Sequence, residues 1–412
     1  MIIKNTANNR TGFFMRRAVT TVVLCVLLLC SFAPAGSRAA FRKAAKTKAT
    51  LMFTGDLMCL KGQQYDALTK DGFDFYPCYR YVAQIFKEAD MVCGNLESLI
   101  SESNPLTKDC VYENDQPQCN GPVAYLDALK RASFDVLVTA NNHTCDWGAV
   151  GITETKKHLD EYGFLNVGTH YEGSTSPSGL TDPADVGKTG AADGPVAEDR
   201  FVIYEARCIK IAILSYTHLV NQRYKMTREQ LNTMVHLYDP EAVKQDIADA
   251  KAAGAQFVVV YLHNGTENTE ELTRSQIDDS EFVAEAGADL IIGSHPHCLQ
   301  KCTYIKTSDG REVLCMYSMG NFVSSMTRDI NNDTLILKVT LTCTRYGEGS
   351  DVKMTDASYI PCRVAPKAGH SFTVIPILRY RDGSCSSKSL KEAADRVAAV
   401  MDGVIPERGR KY

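Results

Sequence analysis

From about residue 50 onward, short apolar runs alternate with amphipathic stretches along the chain. The runs ATLMFTGDL (49–57), DMVCGNLES (90–98), FDVLVTANNH (134–143), LNVGTH (165–170) and ILSYTH (213–218) read as strands. So do AQFVVVYLHNG (255–265), ADLIIGSHPH (288–297) and VLCMYSMGNF (313–322). Residues 73–89, 122–133, 151–163, 240–254 and 275–287 repeat their apolar positions at helical spacing and read as helices. Strands this rich in Val, Ile and Leu imply a sheet buried on both faces under helical cover, an α/β fold. KTSDGRE (306–312) is hairpin-like, and after residue 330 the text becomes β-rich, with TLILKVTLT (334–342), SFTVIPIL (371–378) and one helix over 389–403. The expected organisation is an N-terminal segment (1–48), a main α/β domain (49–330) and C-terminal strands with a helix (331–412) that complete the same sandwich. Residues 172–200, rich in Gly, Ser, Pro and Asp, read as a loop insertion within the main domain.

The N-terminal segment differs from everything after it. Lys4, Arg10, Arg16 and Arg17 precede the apolar run AVTTVVLCVLLLCSFAPA (18–35), and small residues follow it. That order predicts a secretory signal or a single membrane anchor, with the remaining chain extracytoplasmic; cleavage and anchoring both stay open. Composition adds an exclusion. The net charge is -4 and no Lys/Arg stripe follows residue 50, so nucleic acid is not expected as a partner, and an anionic substrate needs local attraction. Of fifteen cysteines, two sit in the apolar run, which leaves an odd thirteen that cannot all pair. Export permits disulfides, and Cys110 with Cys119 is the expected bridge, followed by Cys298 with Cys302. Cys93, Cys208 and Cys315, inside apolar runs, are expected to be small buried hydrophobes.

The chemistry lies at the strand ends. Asp56 follows LMFTG, Asn95 and Glu97 follow MVCG, and Asn142 and His143 follow LVTAN. His263 follows VVVYL, and His295 and His297 follow DLIIGS. Singly, each has a bland explanation: Asp56 as a turn residue, Asn142 bonded to its own backbone, a histidine as one more satisfied polar group. Jointly they put carboxylate, amide and imidazole at the end where ligands bind in open α/β sheets. Such a donor set suits one or two divalent ions of the Mn, Fe or Zn type, a pair standing roughly 3.5–4 Å apart. Pro296 restricts His295 to extended conformations, and in an extended segment residues two apart face one way, so His295 and His297 are expected to share a cavity. His218 closes another strand and ranks below these. His158, His170, His236 and His370 have no motif around them.

The motifs GD (55–56), NLES (95–98), NNHTCDWG (141–148), HNGTE (263–267), GSHPHCLQ (293–300) and YSMGNF (317–322) resemble those of the CapA family. These are bacterial capsule synthesis proteins associated with poly-γ-glutamate, and the resemblance covers roughly residues 50–325. That family is similar in turn to calcineurin-like metallophosphoesterases, which implies a four-layer sandwich of two mixed β-sheets flanked by helices. It further implies Asp56, Asn142, His263, His295 and His297 as metal ligands and His143 as the group that protonates a leaving group; Asp146, three residues later, is expected from its position to orient that ring. Two positions depart from the phosphoesterase pattern: Met58 stands where a histidine is usual, and Asn95 where a bridging aspartate is usual, with Glu97 expected to supply the missing charge. The resemblance implies a metal-dependent hydrolase or transferase acting on a phosphoester or an anionic cell-envelope polymer such as poly-γ-glutamate. It equally accommodates a non-catalytic accessory subunit of a membrane synthesis or export complex.

Overall fold

The computed structural model describes residues 45–110, 117–173, 200–346, 349–377 and 387–408. The apolar run 18–35, Cys385 and residues 174–199 of the expected insertion lie outside the described residues. Among the described residues, those of Lys46–Thr344 and Ser350–Tyr412 form one compact unit that holds the core of the fold. Among the described residues, no helix is long and apolar enough to cross a membrane.

In chain order, the first strands are β1 (Ala45–Leu57), β2 (Met91–Leu96), β3 (Val136–Val138) and β4 (Leu165–Val167). Next come β5 (Val202–Ala206), β6 (Ile209–Thr217), β7 (Phe257–His263) and β8 (Leu290–Ser294). Then follow β9 (Cys302–Lys306), β10 (Glu312–Met316), β11 (Asn321–Val323), β12 (Asp333–Tyr346), β13 (Gly349–Lys367) and β14 (His370–Pro376). One sheet runs β14-β13-β12-β1-β2-β3-β4, with β11 also paired to β1; the second runs β9-β10-β8-β7-β6-β5. Both are mixed: in the first, β1, β2, β3, β4 and β11 pair in parallel while β13 and β14 pair antiparallel; in the second, β6, β7, β8 and β10 pair in parallel while β5 and β9 join antiparallel.

Alternation along the central strands assigns their faces. Leu51 and Phe53 of β1 and Val259 and Tyr261 of β7 enter one core that also holds Cys93, Val136, Ile213 and Ile292, so the two sheets pack face to face. Met52 points the other way, against Tyr79, Phe86, Leu126 and Leu129 on helical segments. Val258, Val260 and Leu262 face Val243 and Ile247 of α1 (Pro240–Ala252) and Val283 of α2 (Arg274–Ala286). The result is the expected four-layer arrangement of helix, sheet, sheet and helix. Burying each such side chain contributes about 1.5–3 kcal/mol, which outweighs the modest β preferences of any single residue.

Several expectations change. The helix over 73–89 is two short ones, Tyr76–Tyr79 and Ala83–Phe86, the first with Pro77 in its opening turn. Phe75, Tyr79 and Phe86 make edge or tilted contacts with Tyr125 and Phe134, so aromatic packing overrides the helical period there. The run 313–322 is not one strand: β10 ends in the second sheet and β11 begins in the first, the chain crossing at Tyr317–Gly320. β5 is not legible in the sequence because it is an edge strand whose residues are mostly half-buried, without an apolar pattern.

The expected disulfides do not form. Cys110, Cys119, Cys298 and Cys302 are all free thiols. Cys298 Sγ donates to the Thr269 carbonyl (3.1 Å) and Cys110 Sγ to that of Leu106 (3.2 Å), while Cys302 packs in the inter-sheet core. Cys93 and Cys315 are buried as expected, but Cys208 is exposed. It forms the β5–β6 turn with Arg207, and both have positive φ (51° for Arg207, 66° for Cys208), which turns the thiol outward.

Candidate metal centre

Parallel register gathers the strand ends. Asp56 pairs with Asn95 on one side and Asn321 on the other, and His263 pairs with Ser294. Two glycines let the backbones meet: a Cβ at Gly55 would lie 1.9 Å from the Gly320 carbonyl oxygen, and one at Gly293 would lie 1.8 Å from that of Tyr317. Those carbonyls belong to the crossover between β10 and β11, which delivers Asn321 to the cluster.

Asp56, Asn95 and Glu97 come from the first sheet and His263, His295 and His297 from the second, all buried. Asn95 Nδ2 donates to Asp56 Oδ1 (2.9 Å) and lies 3.5 Å from Glu97 Oε2, while its Oδ1 accepts from Asn141 Nδ2 (3.2 Å). The Asn95 amide thus turns its N–H toward the carboxylates. His263 Nε2 is 2.9 Å from Asn142 Oδ1 and 3.7 Å from Glu97 Oε1; its Nδ1 is 2.9 Å from Ser294 Oγ. His297 Nδ1 meets Asn321 Oδ1 at 3.0 Å, with Asp56 Oδ2 at 3.6 Å, and its Nε2 stands 3.9 Å from Glu97 Oε1. A ring nitrogen bonded behind the ligand plane is the usual way a metal-binding imidazole is aimed. Glu97 stands between two donor groups, with His263 and His295 and with Asp56 and His297.

His295 and His297 do converge, but not through an extended segment. Their φ angles are +99° and +57°, and the strand has ended at Ser294. The turn is held from outside: Asn268 N donates to the Pro296 carbonyl (2.9 Å) and Asn331 Nδ2 to that of His297 (2.9 Å). Ring centroids of His263 and His295 are 4.9 Å apart, and those of His295 and His297 6.0 Å.

His143 adjoins this group. Its Nδ1 donates to Asp146 Oδ2 (2.7 Å), and the Cys119 backbone N–H donates to the same oxygen (2.6 Å). That bond leaves Nε2 to carry or accept a proton. The Cys119 thiol lies within 4.8 Å of both ligand atoms, a position the sequence does not signal, since no motif surrounds it. Asn141 and Asn321 also join the site without having been singled out, and the NNHTCDWG and YSMGNF motifs that contain them are the available signal. Met58 turns away to pack with Leu60 and Cys119, contributing nothing to the ligand set. His218 donates its backbone N–H to the His263 carbonyl (3.2 Å), but its side chain leaves the cluster, paired with Asp279 (2.9 Å) and stacked on Tyr238. His170 and His236, which have no motif around them, bond each other through their Nε2 atoms.

The electrostatics fit a cation. Asp56 Oδ2, Glu97 Oε1 and His295 Nδ1 are buried without hydrogen-bond partners. Burial, then Asp56, raises the Glu97 carboxyl well above its usual range. Burial and the neighbouring imidazoles hold His263 far below its usual value, and burial with His297 brings His295 down to about 3. Neutral imidazoles beside a Glu97 carboxyl that resists ionising make a donor set suited to a cation. Burial opposes protonation of His143 too, but Cys119 and Asp146 outweigh it and raise its affinity for a proton.

The family profile described as "Bacterial capsule synthesis protein PGA_cap" matches residues 50–181 and 172–326. The chain belongs to the PGA_cap family. Every residue of the cluster falls within that match, and β12, β13, β14 and α3 (Lys388–Met401) lie beyond it. Similar PGA_cap relatives include the capsule biosynthesis protein CapA of Bacillus anthracis, 26% identical over 67% of this chain and 60% of that protein. The PGA biosynthesis protein CapA of Bacillus subtilis (strain 168) is 28% identical over 66% of this chain and 62% of its own length. The chain thus spans about three fifths of the relatives it matches. Among solved structures, the calcineurin-like phosphoesterase YfkN of Bacillus subtilis aligns over 87% of this chain and 99% of that one, with a TM-score of 0.43 at 13% identity.

Proposed function

We propose that this PGA_cap protein is an exported, metal-dependent hydrolase or transferase of capsule or poly-γ-glutamate biosynthesis, acting on a phosphoester or on an anionic cell-envelope polymer. The observation that carries the reading is the convergence of three unpartnered buried atoms, Asp56 Oδ2, Glu97 Oε1 and His295 Nδ1, beside the His143–Asp146 pair. Asp56, Glu97, Asn142, His263, His295 and His297 would hold one or two divalent ions. Such an ion supplies Lewis-acid polarisation of a phosphoryl or carbonyl oxygen. The chain's own part is positioning and proton transfer. Asp146 fixes the His143 ring through Nδ1, so that Nε2 delivers a proton to a leaving oxygen or nitrogen. Ser294 and Asn321 fix the rotation of His263 and His297.

A second reading, a non-catalytic accessory subunit of a polyglutamate synthesis or export complex, draws support from Met58 and Asn95. One leaves the ligand set and the other directs N–H groups at the carboxylates. Metal content by plasma mass spectrometry separates the two. The enzyme reading expects at least one tightly bound equivalent in wild type and its loss in H295A/H297A. Less than one equivalent in wild type counts against catalysis. With metal bound, His143→Ala should abolish turnover on phosphoester and γ-glutamyl substrate panels, and unchanged turnover would remove His143 from the mechanism.

A further inference from the structure

Cys119 Sγ, a ring nitrogen of His143 and a carboxylate oxygen of Asp146 all lie within 4.8 Å of one another, and all three residues are buried. None of them belongs to the set of Asp56, Glu97, Asn142, His263, His295 and His297 described above. Among the described residues, no other cysteine enters a group of three or more side chains able to bind a metal. The backbone fixes the thiol in place. Cys119 N donates to Asp146 Oδ2 (2.6 Å), and the Cys119 carbonyl accepts from Leu99 N (3.1 Å). The next residue, Asn120, pairs with Leu99 and donates its side-chain N–H groups to the carbonyls of Ser101 (2.9 Å) and Asn104 (3.0 Å).

A separate observation points to a ligand. Asp146 Oδ2 accepts from both His143 Nδ1 and Cys119 N, whereas Asp146 Oδ1 is buried without a hydrogen-bond partner. Leaving a buried carboxylate oxygen unmatched is costly, and neither lysine nor arginine pairs with this carboxylate among the described residues. Lys225 Nζ goes to the Asp146 main-chain carbonyl instead (2.9 Å). A cation satisfies Oδ1, and the thiol beside it decides which kind.

We propose that Cys119, His143 and Asp146 form a further cation site, selective for a thiophilic divalent ion of the zinc type. The Glu97-centred set offers carboxylate, amide and imidazole donors, which suit manganese or iron as well as zinc; a thiolate narrows that choice. Thiolate, imidazole and carboxylate are all zinc ligands, and three of them leave one tetrahedral position for a further donor. Coordination deprotonates the thiol, so binding releases one proton to solvent. On the reading of His143 as proton donor, an ion here withholds that proton and the site is inhibitory. The cation site itself does not depend on that reading.

The test is titration of the reduced, metal-free, full-length protein with cobalt(II), followed by near-ultraviolet absorption. Cobalt bound by a thiolate shows a sulfur-to-metal charge-transfer band that oxygen and nitrogen ligands do not produce. Wild type is expected to show this band, bleached by zinc and untouched by manganese or magnesium. Cys119→Ala and the near-isosteric Cys119→Ser should both lose it, together with one equivalent of zinc by plasma mass spectrometry, while H295A/H297A keeps both. The serine variant should retain the wild-type unfolding midpoint without metal, which separates loss of a ligand from loss of the fold. No band in wild type, or a band that survives in both Cys119 variants, overturns the site, and bleaching by manganese overturns its selectivity. A wild type that binds zinc through Cys119 and no ion at the Glu97-centred set would leave this site standing and count against the metal-dependent reading above.

Discussion

Glu97 concentrates the tension of the site. It is fully buried, its Oε1 has no partner, and burial followed by Asp56 raises its pKa well above the usual carboxylate value. A raised pKa means that the folded, metal-free protein holds a proton the unfolded chain has already released, so its stability declines as pH rises from about 4.5 toward the folded pKa. Glu97→Gln is therefore expected to stabilise the metal-free protein at neutral pH while weakening metal binding. Denaturation midpoints with and without metal check both signs, and a variant that loses stability without metal while binding it normally would contradict this role. Asp56, Glu97 and His263 are legible in the sequence because each ends an apolar strand. Cys119 is not, because it lies 27 residues before Asp146 and meets it only in the fold.

The turn after β8 shows why sequence proximity can suggest the right residues for the wrong reason. The proline between them predicts that His295 and His297 align through an extended segment, and they align instead through two left-handed residues, a conformation that costs about 1–3 kcal/mol each. Asn268 and Asn331 hold it, and nothing near GSHPHCLQ in the sequence announces them. Asn331→Ala removes the support at the His297 carbonyl while leaving every proposed ligand side chain in place, so metal affinity should fall about tenfold with the metal stoichiometry unchanged. Isothermal titration with the divalent ion measures this, and unaltered affinity would mean that the turn holds itself. The β5–β6 turn tests the same physics away from the site. Arg207 and Cys208 occupy left-handed positions that suit Asn and Gly, so Cys208→Gly is expected to stabilise the fold by about 0.5–1 kcal/mol, seen as a higher urea midpoint.

At the scale of the whole molecule, the alternating pattern makes the two-sheet, helix-covered architecture legible, because central strands buried on both faces leave no other packing. What it does not show is how the sheets are fastened at their carboxyl ends. Val235 bridges to Thr169 beyond β4 and Leu237 to Thr217 of β6, so one short segment touches both sheets. Between these bridges, His236 meets His170 through Nε2 and donates its Nδ1–H to the Ser215 carbonyl (3.2 Å). Burial, then His170 and Arg200, with Lys156 adding to them, hold His236 well below its usual pKa. A lowered histidine pKa means the unfolded chain takes the proton first, so this contribution is intact above about pH 6.5 and is lost as pH falls below it. Compared with wild type, His236→Gln should lose less stability between about pH 7.5 and 5.5; parallel curves would show that the pair is not the sensor. The proposed ligand set is divided in the same way, three residues from each sheet. If the set holds an ion as proposed, metal affinity becomes a gauge of alignment: a small slide of one sheet over the other would separate the two halves of the set, and the ion would report the misfit before any strand has come apart.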